Sequence, residues 1–225
     1  MRDLVRRIYR AWNWTDTVVY VSNIVAFGLF IGNCWWESLA ITYAAVLLAL
    51  AVQTCRAWHT PDVLREALAF GTLAGWMWPF GEWFVVRAFG WWGRYVATGP
   101  MLLDTPAYTA LIGSLAGAYC FYMGRRTVDL GYGPWASGLV SGTSALGLGI
   151  LGEGLFVEAG MWVYDPSPLQ LFSVPLFVPI AYGAGYACLP LLQRFRLLPR
   201  AFLFNLIMLA LSMGLGLAVG FFPRP

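Results

Sequence analysis

Long apolar segments separated by short polar ones make up almost the whole chain. Runs of about 20 mostly apolar residues recur along it, and a bilayer core about 30 Å thick needs a helix of that length. The pattern predicts about seven membrane-spanning helices, over residues 15–34, 38–55, 66–89, 104–123, 135–157, 171–192 and 202–221. The connecting segments are too short to hold a soluble domain. We therefore expect a single transmembrane domain, residues 1–225, folded as an all-α polytopic helix bundle.

Composition agrees with this pattern, and charge adds an orientation. Of the residues, 60% are hydrophobic and 11% charged, with a mean hydropathy of +0.66, which places the chain outside the range of soluble proteins. There is no lysine, and 11 of the 14 arginines fall in segments that seven crossings place on one side. Because basic loops stay in the cytoplasm, we expect a cytoplasmic N-terminus and an outer C-terminus. The first span lacks a small-residue cleavage site and is expected to be retained as an anchor.

Several kinds of chemistry are disfavoured by the residue inventory. The arginines are dispersed over four segments, which argues against a nucleic-acid partner. The four cysteines stand singly without metal-ligand or redox spacing, and His59 is the only histidine. We expect no metal and no other cofactor, and the bilayer is the expected surrounding.

A short internal repeat links two parts of the sequence. The segment GEWFVVRA at 81–88 aligns with GEGLFVEA at 152–159, with four identical positions. Aromatic and Pro-containing positions downstream recur at nearly the same offset. We interpret residues 66–123 and 135–192, predicted helices 3–4 and 5–6, as two parallel copies of one hairpin. Such copies are related by an axis close to the membrane normal.

Each copy carries a carboxylate within an apolar helix, Glu82 in the first and Glu153 in the second. Ionisable groups inside a membrane cost several kcal/mol unless they are paired or used, so both are candidate catalytic acids. Burial in an apolar pocket favours the protonated carboxyl, which can then donate a proton. The alternative is that each acid pairs with Arg87 or Arg94 and only locks two helices together. A pseudo-twofold arrangement would instead pair Arg87 with Glu158.

Aromatic residues are dense around these two acids. Their ring faces stabilise cations, so a cavity with an acid and aromatic walls suits a reaction that passes through carbocations. An aromatic belt at the membrane surface is the alternative explanation. The residues that we predict to bind substrate are Trp76, Trp78, Trp83, Tyr95, Tyr108, Trp162 and Tyr164.

The same residues carry a resemblance to known enzymes. The order of Glu82, Arg87 and Tyr95, followed by Trp162, Tyr164 and the segment FSVPLFVP at 172–179, resembles the small membrane carotenoid hydratases. Seven helices with a doubled hairpin also resemble lycopene-cyclase-domain proteins and the fungal-type membrane terpene cyclases of meroterpenoid pathways. The resemblance covers residues 75–192. It lacks the Pro-x-Glu-Glu signature of lycopene-cyclase domains and the Tyr-Thr-Asp loop of the hydratases.

This resemblance implies a metal-free enzyme in which a membrane-embedded acid protonates an alkene or epoxide of a lipophilic isoprenoid substrate. Our leading hypothesis is an isoprenoid cyclase that uses Glu82 or Glu153. A hydratase differs only in that water captures the cation. Two further classes stay open: a small transporter, for which parallel repeats and intramembrane acids are equally natural, and a non-catalytic membrane subunit.

Overall fold

The computed structural model of the protein describes residues 11–36, 38–59, 63–89, 93–96 and 99–221. Arg2, Arg6, Arg7, Arg10 and Arg224, which contributed to the orientation prediction, lie outside these residues. The described part of the chain is an all-α bundle with a few very short strands. Its helices are α1 Trp14–Trp36, α2 Leu39–His59, α3 Val63–Phe89, α4 Ala107–Asp129, α5 Pro134–Glu158, α6 Phe177–Ala187, α7 Leu189–Leu192 and α8 Leu197–Ala218.

The all-α prediction is confirmed, because a helix lies at each of the seven predicted spans. Among the described residues, four helical stretches are long and apolar enough to cross a membrane: Trp14–Gly32 within α1, and the helices α2, α5 and α8. This agrees with a membrane protein. The count of seven crossings and the orientation of the termini stay predictions.

Short strands lie at one end of the bundle, and the sequence pattern did not predict them. They are β1 Gly93–Tyr95, β2 Met101–Leu102, β3 Thr105–Pro106, β4 Trp162–Tyr164, β5 Gln170–Leu171 and β6 Val174–Pro175. Two tight hairpins pair β2 with β3 and β5 with β6. Residues 104–106 and 171–175, predicted as the starts of two spans, are therefore strand and turn, and α4 and α6 begin only at Ala107 and Phe177. We call this end of the bundle the strand face.

The same order of elements occurs twice along the chain. A helix, a short strand, a tight hairpin and a second helix follow one another in α3–β1–β2–β3–α4 and again in α5–β4–β5–β6–α6. The first strand of one set pairs antiparallel with the first strand of the other, β1 with β4. This order is compatible with the proposed repeat, which stays an interpretation of the sequence.

Glycine allows the paired helices to approach closely. A Cβ atom at Gly71 or Gly75 of α3 would overlap the backbone of Ser114 in α4. In the second pair, a Cβ at Gly142 of α5 would lie 2.7 Å from the carbonyl oxygen of Gly183 in α6. Small residues at such contacts are the usual way in which membrane helices pack. The helices within each of the pairs α3–α4 and α5–α6 are consequently closely packed.

Ion pairs tie the helices together at the opposite end, which we call the arginine face. The Arg126 guanidinium binds both carboxylate oxygens of Asp16 at 2.8 Å, and the Tyr122 hydroxyl donates to the same carboxylate at 2.7 Å. Arg200 pairs with Glu66 in the same region. A planar guanidinium that grips a carboxylate with two bonds fixes orientation as well as distance. These contacts hold α1 against α4 and α8 against α3.

Candidate active site

A cavity of about 410 Å³ is lined by the two helix pairs, α3–α4 and α5–α6, and by the helices α1 and α8. On α4 its lining extends from Thr109 to Cys120 and on α5 from Ala145 to Phe156, so its length is about 16 Å at 1.5 Å per helical residue. Its walls are mainly apolar and aromatic. Glu82 and Glu153 both line it. The structure therefore brings the two acids selected from the sequence into one space.

Glu82 is held in a cradle of hydrogen-bond donors. The Trp78 indole nitrogen donates to Oε1 at 2.8 Å, and the Tyr95 hydroxyl lies 3.0 Å from both carboxylate oxygens. The Thr105 hydroxyl makes a short hydrogen bond to Oε2. Burial, followed by the neighbouring Glu82 carboxyl, raises the pKa of the Tyr95 phenol well above its usual value, so this hydroxyl stays protonated. Residues of α3, β1 and β3 thus converge on one carboxyl group that is 6% exposed.

Glu153 is hydrogen-bonded by two phenols. The Tyr164 hydroxyl of β4 donates to Oε2 and the Tyr182 hydroxyl of α6 donates to Oε1, each at 2.8 Å. Burial raises the pKa of the Tyr164 phenol well above its usual value, with the Glu153 carboxyl as the next cause. A hydroxyl can donate to a carboxylate or accept from a carboxylic acid. Both protonation states of Glu153 are therefore compatible with these partners.

The two acids occupy matching positions in their helices. Val63 begins α3 and Pro134 begins α5, and the sequence interval from the start of the helix to the acid is the same in both. Both carboxyls therefore lie about 28 Å along their helices, near the strand face. The β1–β4 pairing fixes the groups between them, since Tyr95 is opposite Trp162 and Gly93 is opposite Tyr164.

Neither acid forms an ion pair with an arginine among the described residues, so the helix-locking alternative is not observed. Arg87 instead approaches Asp104, with Nε 3.7 Å from Oδ2, and 66% of its side chain is exposed. Glu158 is exposed at the end of α5. The predicted ion pair between Arg87 and Glu158, both of them described residues, is thus not formed. Asp104, the acid that Arg87 approaches, lies in the hairpin β2–β3, which the sequence pattern did not predict.

Four of the predicted substrate-binding aromatics line the cavity, namely Trp78, Tyr95, Trp162 and Tyr164. Trp162 stacks on Phe156 with ring centroids 4.7 Å apart and meets Tyr95 edge-on at 6.0 Å. These rings form an aromatic wall beside the two carboxyls.

The other three predicted aromatics take different positions. Trp76 and Trp83 are 42% and 41% exposed on the outside of α3, and neither lines the cavity. The 3.6-residue period explains this correction, because it places residues 75, 78 and 82 on the inner face of α3 and residues 76 and 83 on other faces. Tyr108 is fully buried and packs edge-on against Tyr95 at 6.4 Å. It supports the wall from behind and does not line the cavity.

Sequence reasoning missed several residues of the site. Thr105 belongs to a strand that apolar periodicity does not indicate, and Tyr182 lies in the second turn of α6 without any motif around it. Asn23 and Asn205 are polar residues inside apolar helices, and both line the cavity. Polar residues at membrane depth are a signal that could have identified the two asparagines.

Buried aromatic rings close the cavity on the side of the arginine face. Phe70 of α3 stacks on Phe121 of α4 with centroids 5.0 Å apart and meets Phe204 of α8 at 5.3 Å. All three are at most 4% exposed, and Phe204 also lines the cavity. This aromatic floor separates the acids from the arginine-rich end of the bundle.

Comparison with known proteins adds no relative. The chain matches no protein-family model, no curated protein and no solved structure.

Proposed function

We propose that this protein is a membrane-embedded isoprenoid cyclase that starts its reaction by protonating a double bond or epoxide with a carboxylic acid. The observation that carries the proposal is the placement of Glu82 and Glu153, without cationic partners among the described residues, at the same depth of one apolar, aromatic-walled cavity. Two carboxyl groups can serve as acid and base in one catalytic cycle. The motif resemblance to membrane carotenoid hydratases and terpene cyclases points in the same direction.

The hydrogen-bond partners assign different roles to the two acids. Glu82 accepts from Trp78, whose indole can only donate, in addition to two hydroxyls, and this obligate donor favours the ionised carboxylate. Glu153 has two hydroxyl partners, which accept a hydrogen bond as readily as they donate one. Glu153 is therefore the proton donor and Glu82 the base in our proposal.

The proposed steps balance without a further reactant. The Glu153 proton adds to one carbon of the double bond, the π pair forms the new C–H bond, and a tertiary cation and a carboxylate remain. A second double bond of the same chain attacks the cation and closes a ring. Glu82 then removes a proton from the carbon next to the final cation, and that C–H pair becomes a new double bond. The product is an isomer of the substrate, and the proton now on Glu82 must return to Glu153 before the next turnover.

The aromatic wall supports the cationic stage. The rings of Trp78 and Trp162 line the cavity together with the two acids, and the Phe156 ring stacks on Trp162. A desolvated cation over such a face is stabilised by roughly 2 kcal/mol. Few polar groups of the described residues line this cavity, so water finds few partners there, which favours ring closure over hydration.

Hydration is the second candidate because the acids lie close to the strand face. Glu153 is five residues from the end of α5, or about 8 Å along the helix. A water molecule entering there would attack the cation and pass its proton to Glu82. The product would then be an alcohol that carries one additional water.

The aromatic floor weighs against the transporter alternative, which needs a polar route through the bundle. Buried Phe70, Phe121 and Phe204 lie between the acids and the arginine face. We further propose seven crossings, with the arginine face in the cytoplasm, because arginines concentrate there and basic segments stay inside.

The experiment expresses the chain in bacterial hosts that supply short isoprenoids or carotenoid-length chains, and profiles the lipid extracts by mass spectrometry. Variants Glu153→Gln and Glu82→Gln are compared with the matched control Glu158→Gln, which alters an exposed carboxyl outside the cavity. We expect a new product of unchanged mass from the wild type and from the control. A product heavier by one water would instead support the hydratase.

The two variants also test the assignment of roles. Without its acid, Glu153→Gln should give no product. The Glu82→Gln protein keeps the proton donor Glu153 but lacks the base. Its main product should therefore be lost and replaced by minor or hydrated species. Equal and complete loss in both variants would refute the division of roles. No product from the folded wild-type protein in either type of host would refute isoprenoid chemistry.

A further inference from the structure

The cavity has a second polar end, away from the acids. Asn205 of α8 and Asn23 of α1 both line it, and each uses its amide nitrogen on backbone carbonyls. Asn205 Nδ2 donates to the Ala201 oxygen at 2.9 Å and to the Ala74 oxygen at 3.2 Å, and Asn23 Nδ2 donates to the Val19 oxygen at 2.8 Å. These donors identify the other atom of each amide as the carbonyl oxygen.

Both amide oxygens lack a donor among the residues that the structure describes. An amide oxygen accepts hydrogen bonds only, and Asn23 and Asn205 are half-buried residues that line the cavity, so a ligand there can supply the donor. The amide nitrogen of Asn205 has a structural role, because its hydrogen bond to Ala74 holds α8 against α3. This structural role does not explain why the amide oxygen of Asn205 faces the cavity without a donor from the described residues. Two such acceptors in one cavity match a ligand that carries a hydroxyl group.

The distance between the two polar ends follows from α3 alone. Asn205 is hydrogen-bonded to Ala74, which precedes Glu82 by eight residues on that helix. The rise of 1.5 Å per residue gives about 12 Å between them along the helix. With carbon–carbon bonds of about 1.5 Å, one isoprene unit of four chain bonds advances roughly 5 Å. The two ends are therefore two to three isoprene units apart.

We propose that the ligand of this cavity is a linear isoprenoid alcohol of three to four isoprene units. Its hydroxyl donates to the amide oxygen of Asn205 or to that of Asn23, and a double bond at the other end of the chain lies beside Glu82 and Glu153. The volume of about 410 Å³ is within the range for one such molecule. The placement of the double bond beside the two acids rests on the proposed function, whereas recognition of the hydroxyl does not.

The test measures binding without catalysis. Purified full-length protein in lipid nanodiscs is titrated with geranylgeraniol and with its methyl ether, which has the same chain but no hydroxyl to donate. Quenching of intrinsic fluorescence reports occupancy, because the indoles of Trp78 and Trp162 line the cavity. We expect the alcohol to bind about five- to tenfold more tightly than the ether, the usual effect of one hydrogen bond.

Variants then show which residues produce the preference for the alcohol over the ether. Asn205→Leu and Asn23→Leu should each reduce it, and the double variant should bind alcohol and ether equally. Met208→Leu, which changes the apolar wall of α8 one turn from Asn205, should keep it. Asn205→Gln keeps both the amide nitrogen and the acceptor oxygen, and it should retain the preference if Asn205→Leu proves unstable. Equal binding of the two probes by the wild type, or a preference that survives the double leucine variant, would overturn the proposal.

One further variant separates this proposal from the proposed function. Glu82→Gln should lose the main product but keep the alcohol preference, because Glu82 lies at the other end of the cavity. If Glu82→Gln loses the product while the wild type shows no preference, the enzyme proposal stands and the alcohol proposal fails. The opposite pattern, a preference without any isoprenoid product, would leave a hydroxyl-binding site and remove the cyclase.

Discussion

The cradle around Glu82 predicts that this residue supports the fold as well as the proposed chemistry. Replacing it with leucine, of similar size, leaves three donors without their acceptor: the Trp78 indole and the hydroxyls of Tyr95 and Thr105. A buried unpaired donor costs about 1–3 kcal/mol, and the two hydroxyls can rotate toward other acceptors. We therefore expect Glu82→Leu to lower the free energy of unfolding by about 2–5 kcal/mol.

Glutamine at the same position should behave differently. Its amide oxygen still accepts from Trp78, and its NH₂ group can donate to the Thr105 and Tyr95 oxygens, which then reverse their roles. We expect Glu82→Gln to change the free energy of unfolding by less than about 1 kcal/mol while it removes the carboxylate that serves as the base in our proposal. The comparison therefore separates support of the fold from chemistry at one position.

The assay is thermal unfolding of the purified variants in one detergent, followed by far-ultraviolet circular dichroism at one heating rate. For a chain of this size, 1 kcal/mol shifts the melting temperature by about 2–4 °C, so Glu82→Leu should melt roughly 5–15 °C below the wild type. Glu158→Leu is the matched control, because that carboxyl is exposed, and it should stay within about 2 °C. A Glu82→Leu protein as stable as this control, or a Glu82→Gln protein as unstable as Glu82→Leu, would refute the reasoning.

Two further predictions use glycines as matched pairs. Gly152 lines the cavity with open space at its Cβ position, so Gly152→Leu should obstruct the cavity and lower product formation at least tenfold, measured in the lipid extracts. Gly147→Leu, on the same helix with open space but outside the cavity, should not lower product formation. Equal losses of product in the two variants would contradict this prediction. At Gly71 a Cβ would overlap the backbone of Ser114, so Gly71→Ala should destabilise the protein by about 1–3 kcal/mol in the same thermal assay. Gly81→Ala, on the same helix with free space, should be neutral or stabilising by up to about 1 kcal/mol; a stable Gly71→Ala protein would show that the α3–α4 contact is adaptable.

The helices were predictable because a bilayer requires long apolar runs with internal backbone hydrogen bonds. Each predicted span overlaps an observed helix, and Glu82 and Glu153 stood out because ionisable residues are rare in such runs. The short strands were not predictable in this way. The strands β1 and β4 pair although a hairpin and two helices separate them along the chain, and strands this short carry no periodicity.

Local sequence therefore determined the fold class and the pair of acids. Tertiary structure alone decided what surrounds them: the hydroxyl of Thr105 from a hairpin, the phenol of Tyr182 from a later helix, and the exclusion of Trp76 and Trp83 to the outside of α3. Hydrophobicity along a chain shows which segments leave water, and this preference depends on each segment separately. The direction in which a side chain points depends on how neighbouring helices turn and pack, and that is a property of the assembled bundle.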